Sequence, residues 1–257
     1  MANSIGQPVW FDLFSDNIPK TTAFYSELFN WNTEVMDTPA GPYTIFKHDG
    51  KSVAGLTKPV DASLANTWLA YVNVTNINTT CSTIQQNGGT LVGAITKMPG
   101  VGSWQVAKDP QGGIFCAFQG ETSAEACAAG SAFGDVGQFC WHELMCKDYS
   151  TALNFYSQVF GWSKGVAMDM GPMGTYQMFN AGEKGIGGMM TNTPDMPQKT
   201  YWLEYIHVQN VDETVARAKS MGATSTFPAM TVGDNSGRIA GLIDPNGAAF
   251  AVYTPNK

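Results

Sequence analysis

Two carboxylates stand in matching settings: Asp12 within Trp10-Phe11-Asp12-Leu13, and Glu143 within Trp141-His142-Glu143-Leu144. A carboxylate held among aromatic and thioether groups loses hydration, which raises its pKa and suits it to take a proton from the carbon next to a carbonyl. Glu143, with Met145 two residues on, is the first catalytic candidate and Asp12 its counterpart. The competing reading gives both carboxylates to hydrogen bonds at a sheet rim. Large rings with polar tips line sites for flat organic molecules. On that ground Trp10, Trp68, Tyr71, Trp141, Trp202 and Tyr205, with Met145, are ligand-binding candidates, core packing being the alternative for each tryptophan. Arg238, one of two arginines, could hold an anion or form an ion pair.

Metal ligands are scarce. Of three histidines, His48 lies in the turn His48-Asp49-Gly50 and is expected in solvent, while His142 and His207 fall in strand-like runs. Side chains alternate along a strand, so His142 and Glu143 face opposite ways, as do Glu204 and His207. Any metal site would rest on Glu143 and His207, a weak pair. The expectation is therefore no cofactor, with a divalent ion (Zn, Ni, Mn or Fe) as the alternative. Five cysteines without a CxxC read as buried thiols in a reducing compartment. Of thirteen methionines, seven cluster in the second half, at 168, 170, 173, 178, 189, 190 and 196, and could form adaptable apolar walls. Asp169 to Gly174 reads as a loop able to cover a pocket.

These residues recur because the chain repeats itself. Phe24-Tyr25-Ser26-Glu27-Leu28-Phe29-Asn30-Trp31 returns as Phe155-Tyr156-Ser157-Gln158-Val159-Phe160-Gly161-Trp162. Tyr43, Phe46 and Gly55 return as Tyr176, Phe179 and Gly188; Trp68-Leu69-Ala70-Tyr71 as Trp202-Leu203-Glu204-Tyr205; Asp109-Pro110-Gln111-Gly112 as Asp244-Pro245-Asn246-Gly247. In each half a strand (Val9 to Phe14; Phe139 to Met145) leads to a helix, marked by Asp16 with Pro19 and by Asp148 or Ser150. A hairpin (Tyr43 to Lys47, Ser52 to Leu56) and Trp68 to Val74 complete βαβββ. Helices over Thr79 to Gln86 and Asp212 to Met221 open a second unit in each half, giving four in all. The expected fold class is α+β, tandem βαβββ modules with two cupped mixed sheets, arranged as domain 1–120, a Gly/Ala/Ser-rich linker 121–135 and domain 136–257.

With 257 residues and 44 % hydrophobic side chains the chain can build a large core. A net charge of -7 and no Lys/Arg-rich run speak against nucleic acid. No basic-then-apolar leader and no run of eighteen apolar residues occur, so no membrane association and a cytoplasmic location are expected. GxGxxG, P-loop, GxSxG and HExxH are absent.

The quoted motifs, W-x-D/E-L, F-Y-x-x-x-F-x-W, W-x-x-Y and D-P-x-G, resemble the vicinal-oxygen-chelate superfamily of glyoxalase I, bleomycin-resistance proteins and extradiol dioxygenases. Within it the chain resembles the two-module branch of the 27 kDa antigen or hydroxylase type. The resemblance implies a small-molecule site in cups between paired modules, and in metal-using members a glutamate shortly after D-P-x-G. That stretch reads Gly113-Ile114-Phe115-Cys116 and Ala248-Ala249-Phe250-Ala251, without a carboxylate. The expected function is thus binding of a carbonyl-bearing or aromatic ligand without an obligatory metal. The alternative is a glyoxalase-like lyase or isomerase using a divalent metal and Glu143 as base; a dioxygenase is less favoured. Two fused modules supply what single-module relatives gain by pairing, so a monomer is expected, a homodimer being the alternative.

Overall fold

The computed structural model describes residues 5–38, 40–59, 61–121, 134–233 and 236–256. The first half runs β1 (Pro8–Phe14), α1 (Ile18–Phe29), β2 (Asn32–Thr38), β3 (Gly41–His48), β4 (Lys51–Thr57), β5 (Thr67–Asn73), α2 (Ile77–Gln86), β6 (Thr90–Met98), β7 (Gly102–Lys108) and β8 (Ile114–Gly120). The second half repeats it as β9 (Phe139–Cys146), α3 (Tyr149–Phe160), β10 (Ser163–Asp169), β11 (Thr175–Ala181), β12 (Lys184–Thr191), β13 (Tyr201–His207), α4 (Val211–Ser220), β14 (Thr224–Val232), β15 (Gly237–Ile243) and β16 (Ala249–Pro255). Two curled mixed sheets result, ordered β2-β3-β4-β1-β5-β8-β7-β6 and β10-β11-β12-β9-β13-β16-β15-β14. In each module the first strand pairs parallel with the last, as β1 with β4 and β5 with β8, and the hairpin strands pair antiparallel. This is the expected class, four βαβββ modules in tandem.

One boundary differs from the sequence reading. Thr67–Asn73 opens the second module, and the strand completing the first is β2, with β10 its copy. Both are edge strands exposed at most positions, so no buried face leaves an apolar alternation to read. Helix starts follow side-chain caps: Asn17 accepts from the Lys20 amide, Asn76 from Thr79, Asp148 from Ser150 and Thr151, and Asn210 from Glu213. Helix α1 therefore begins one residue after Asn17 rather than at Asp16. Residues 122–133, most of the expected linker and with them Cys127, lie outside the described residues.

Contacts divide the chain into two compact units. One comprises residues 1–10, 69–132 and 142–202, the other 11–68, 133–141 and 203–257. In the first unit α2 packs on α3, and the core between them includes Ile84, Phe115, Leu144, Tyr156, Phe160, Trp162, Phe179 and Met189. In the second, α1 packs on α4, and Phe24, Tyr25, Phe29, Trp31, Phe46 and Phe250 form an aromatic cluster with edge-to-face contacts such as Phe24 on Tyr25 at 5.1 Å. Among the described residues no helix is long and apolar enough to cross a membrane.

Candidate functional site

The repeated D-P-x-G turns join modules. In the first unit Asp109 Oδ1 accepts the amides of Gln111 (2.7 Å) and Gly113 (2.9 Å), and Oδ2 accepts the hydroxyl of Tyr156 from α3 at 2.9 Å. The Tyr156 oxygen in turn accepts the Trp202 indole N–H at 3.2 Å. The second unit repeats the device: Asp244 Oδ1 accepts Asn246 (2.8 Å) and Ala248 (2.9 Å), Tyr25 hydrogen-bonds Asp244, and Trp68 donates to the Tyr25 oxygen at 3.0 Å. Burial raises the pKa of both aspartates despite these donors, and burial followed by the neighbouring aspartate raises both tyrosines. Of the ligand candidates, Trp68 is buried and Trp202 partly buried against the core, and both donate their indole N–H groups to tyrosines.

The carboxylates lie on the other side of the strands. Leu13 and Leu144 are fully buried, Leu144 in the helix-side core, so by alternation Asp12, and Glu143 with Met145, face away from the helices. Asp12 pairs in register with Gly55, and Glu143 with Gly188. Tyr43 Oη donates to Asp12 Oδ1 at 2.5 Å. The tyrosine reaches the carboxylate because Gly55 lies beneath: a Cβ there would stand 1.8 Å from Tyr43 Oη and 2.3 Å from Asp12 Oδ1. At Gly188 a Cβ would meet Tyr176 Cζ at 2.1 Å and its Oη at 2.3 Å. A carboxylate, a phenol and a glycine thus form one surface in each half. The tyrosines and glycines are not among the residues expected at a site from their types, although their equal spacing in both copies is the signal that marks them.

Other candidates are distributed as follows. Tyr71 is buried in the first unit, edge-on to Trp104 and Phe118 with both centroids at 6.4 Å. Tyr205 is buried, Met145 is 4 % exposed, and Trp10 and Trp141 are half-buried. Arg238 donates to Asp212 Oδ1 of α4 at 2.6 Å, the ion pair that was one of the two readings of this residue. His48, expected in solvent, is only 15 % exposed and packs on Gly137. His207 Nδ1 contacts the Gly134 carbonyl at 2.7 Å, and since a carbonyl only accepts, that nitrogen carries the proton. The cysteines at 81, 116, 140 and 146 are buried, and burial pushes the Cys146 thiol up to about 12.

The donor set does not fit the divalent ion of metal-using relatives. Among the described residues no three His, Cys, Asp or Glu side chains gather. The last-strand positions hold Cys116 and Ala251, in register with Tyr71 and Tyr205. Asp12 already accepts a phenolic proton.

Comparison with known proteins agrees with this framework. The anthracycline biosynthesis protein DauV of Streptomyces sp. (strain C5) is 28 % identical over 263 residues, covering 96 % of this chain and 92 % of that protein. The Mn(II)-bound glyoxalase of Novosphingobium aromaticivorans superposes with TM-score 0.64 at 11 % identity, over 98 % of this chain and 82 % of the other. A variant of homoprotocatechuate 2,3-dioxygenase from B. fuscum superposes with TM-score 0.67 at 14 % identity, over 98 % and 72 %. The pattern of the Glyoxalase/Bleomycin resistance protein/Dioxygenase superfamily matches residues 7–116 and 138–252, and the chain belongs to that superfamily.

Proposed function

We propose that the protein binds a small carbonyl-bearing or aromatic molecule on the strand faces turned away from its helices, through hydrogen bonds and apolar contact and with no obligatory metal. The observation that carries this reading is the surface of carboxylate, phenol and glycine repeated in both halves; in the first, the hydrogen bond from Tyr43 to Asp12 shows such a carboxylate engaged by an organic hydroxyl, the kind of group a ligand would bring. Supporting it, Cys116 and Ala251 stand where a metal-binding glutamate is expected. The Streptomyces relative serves anthracycline biosynthesis, and anthracyclines are carbonyl-bearing aromatic molecules, which supports the same ligand class here.

A second reading, a glyoxalase-like lyase with Glu143 as general base, draws on the Glu143 charge. It adds to burial in raising the Tyr201 pKa, so this carboxylate lies close to a phenol that could hold a substrate oxygen. Substituting Glu143→Gln separates the two. Ligand binding that persists, with no glutathione-hemithioacetal turnover in either protein, supports the binder; wild-type turnover abolished in the folded variant overturns it in favour of the lyase.

A further inference from the structure

The two carboxylate surfaces are built on one plan from different side chains. In the first half, register places Ile45, Gly55 and Asp12 in one row and Met36, Tyr43, Thr57 and Phe14 in the next. In the second half the same rows read Met178, Gly188 and Glu143, then Met168, Tyr176, Met190 and Met145. One methionine has become four.

The polar ends differ as well. Asp12 is 6 % exposed beneath Tyr43, whereas Glu143, one methylene longer, is half-buried. Thr67 of the first half is replaced by Tyr201, whose phenol feels the Glu143 charge. All the second-half residues named here lie in the first compact unit.

Thioethers on an unbranched stem adapt to the face and edge of an aromatic ring and gain from sulfur–ring contact, which Ile and Thr do not offer. A carboxylate accepts a phenolic proton, and a tyrosine hydroxyl donates to a carbonyl oxygen. Together they match a planar aromatic ring carrying a hydroxyl beside a carbonyl. We infer that the Glu143 surface, and not its Asp12 twin, is the ligand site, and that it takes a hydroxylated aromatic ketone or quinone. This deepens the small-molecule reading proposed above and rests on it.

The test uses the full chain and a monohydroxyanthraquinone whose hydroxyl neighbours the carbonyl, titrated by tryptophan quenching and calorimetry. The double variant Met178→Ile, Met190→Thr installs the first-half residues at their own register, and thermal melting checks that it folds. Expected is about a tenfold loss of affinity, from two sulfur–ring contacts. The reciprocal Ile45→Met, Thr57→Met variant is expected to bind like wild type. Binding of the probe with equal affinity in both variants would overturn the assignment while leaving the small-molecule reading intact. If the wild-type protein failed to bind the probe but bound other carbonyl or aromatic compounds, the ligand class would be wrong. If it bound no such compound, both would fall.

Discussion

Tyr156 donates its phenolic proton to Asp109 across the modules of one compact unit, at 2.9 Å, while the same oxygen accepts the Trp202 indole. Removing the hydroxyl strands a buried carboxylate oxygen and a partly buried indole N–H. Tyr156→Phe should therefore cost about 2–4 kcal/mol, read by denaturant unfolding. The pH dependence has a definite sign. Asp109 has its pKa raised above 3.8 by burial, and the Tyr156 hydroxyl opposes that rise. A raised carboxyl favours the folded state below 3.8 and loses that contribution as pH climbs through the folded value. Without the hydroxyl the folded value rises further, so the deficit of the variant should be largest near neutrality and shrink toward pH 4 and below. A deficit that grows on acidification would contradict the account.

Asp148 caps α3 from an exposed position, and its donors hold its pKa below 3.8. Here the sign reverses: the contribution is present above 3.8 and vanishes as pH falls through the lower folded value. Asp148→Ala should destabilise by about 1 kcal/mol at neutral pH. Melting curves of the two proteins should converge below pH 3.8.

Gly188→Ala places a methyl 2.1 Å from the Tyr176 ring. The ring must shift, at a cost of about 1–3 kcal/mol. Ligand affinity should fall while circular dichroism keeps the β signature. Unchanged affinity would show that Tyr176 does not contact the ligand.

Much of this arrangement could be read directly. The recurrence of F-Y, W-x-x-Y and D-P-x-G located four modules because those residues pack at fixed places: Tyr25 on Asp244, Tyr156 on Asp109, with Trp68 and Trp202 closing each pair. Composition could not separate a tryptophan lining a ligand from one donating to a buried tyrosine, because both are large rings with a polar tip. That is why Trp68 and Trp202 entered the candidate site. Tyr43 and Tyr176 were missed for the opposite reason: their role depends on the glycine across the hairpin, a relation visible only once register pairs Gly55 with Asp12 and Gly188 with Glu143. β2 and β10 were missed because solvated edge strands carry no apolar period.

Arg238 gives a control outside the set of residues proposed to meet the ligand. Its pair with Asp212 is partly exposed, with side chains 36 % and 58 % accessible. Arg238→Gln should cost under about 1 kcal/mol and leave ligand affinity within about twofold of wild type. A tenfold loss of affinity for an anionic ligand would return Arg238 to the site.

The ligand is expected to bind here without a metal. Titration of monohydroxyanthraquinone into protein stripped with a strong chelator, repeated after addition of Mn(II), Zn, Ni and Fe(II), tests it most directly. The account predicts the same dissociation constant in every sample. Binding that disappears on stripping and returns with one ion at stoichiometric loading would contradict it.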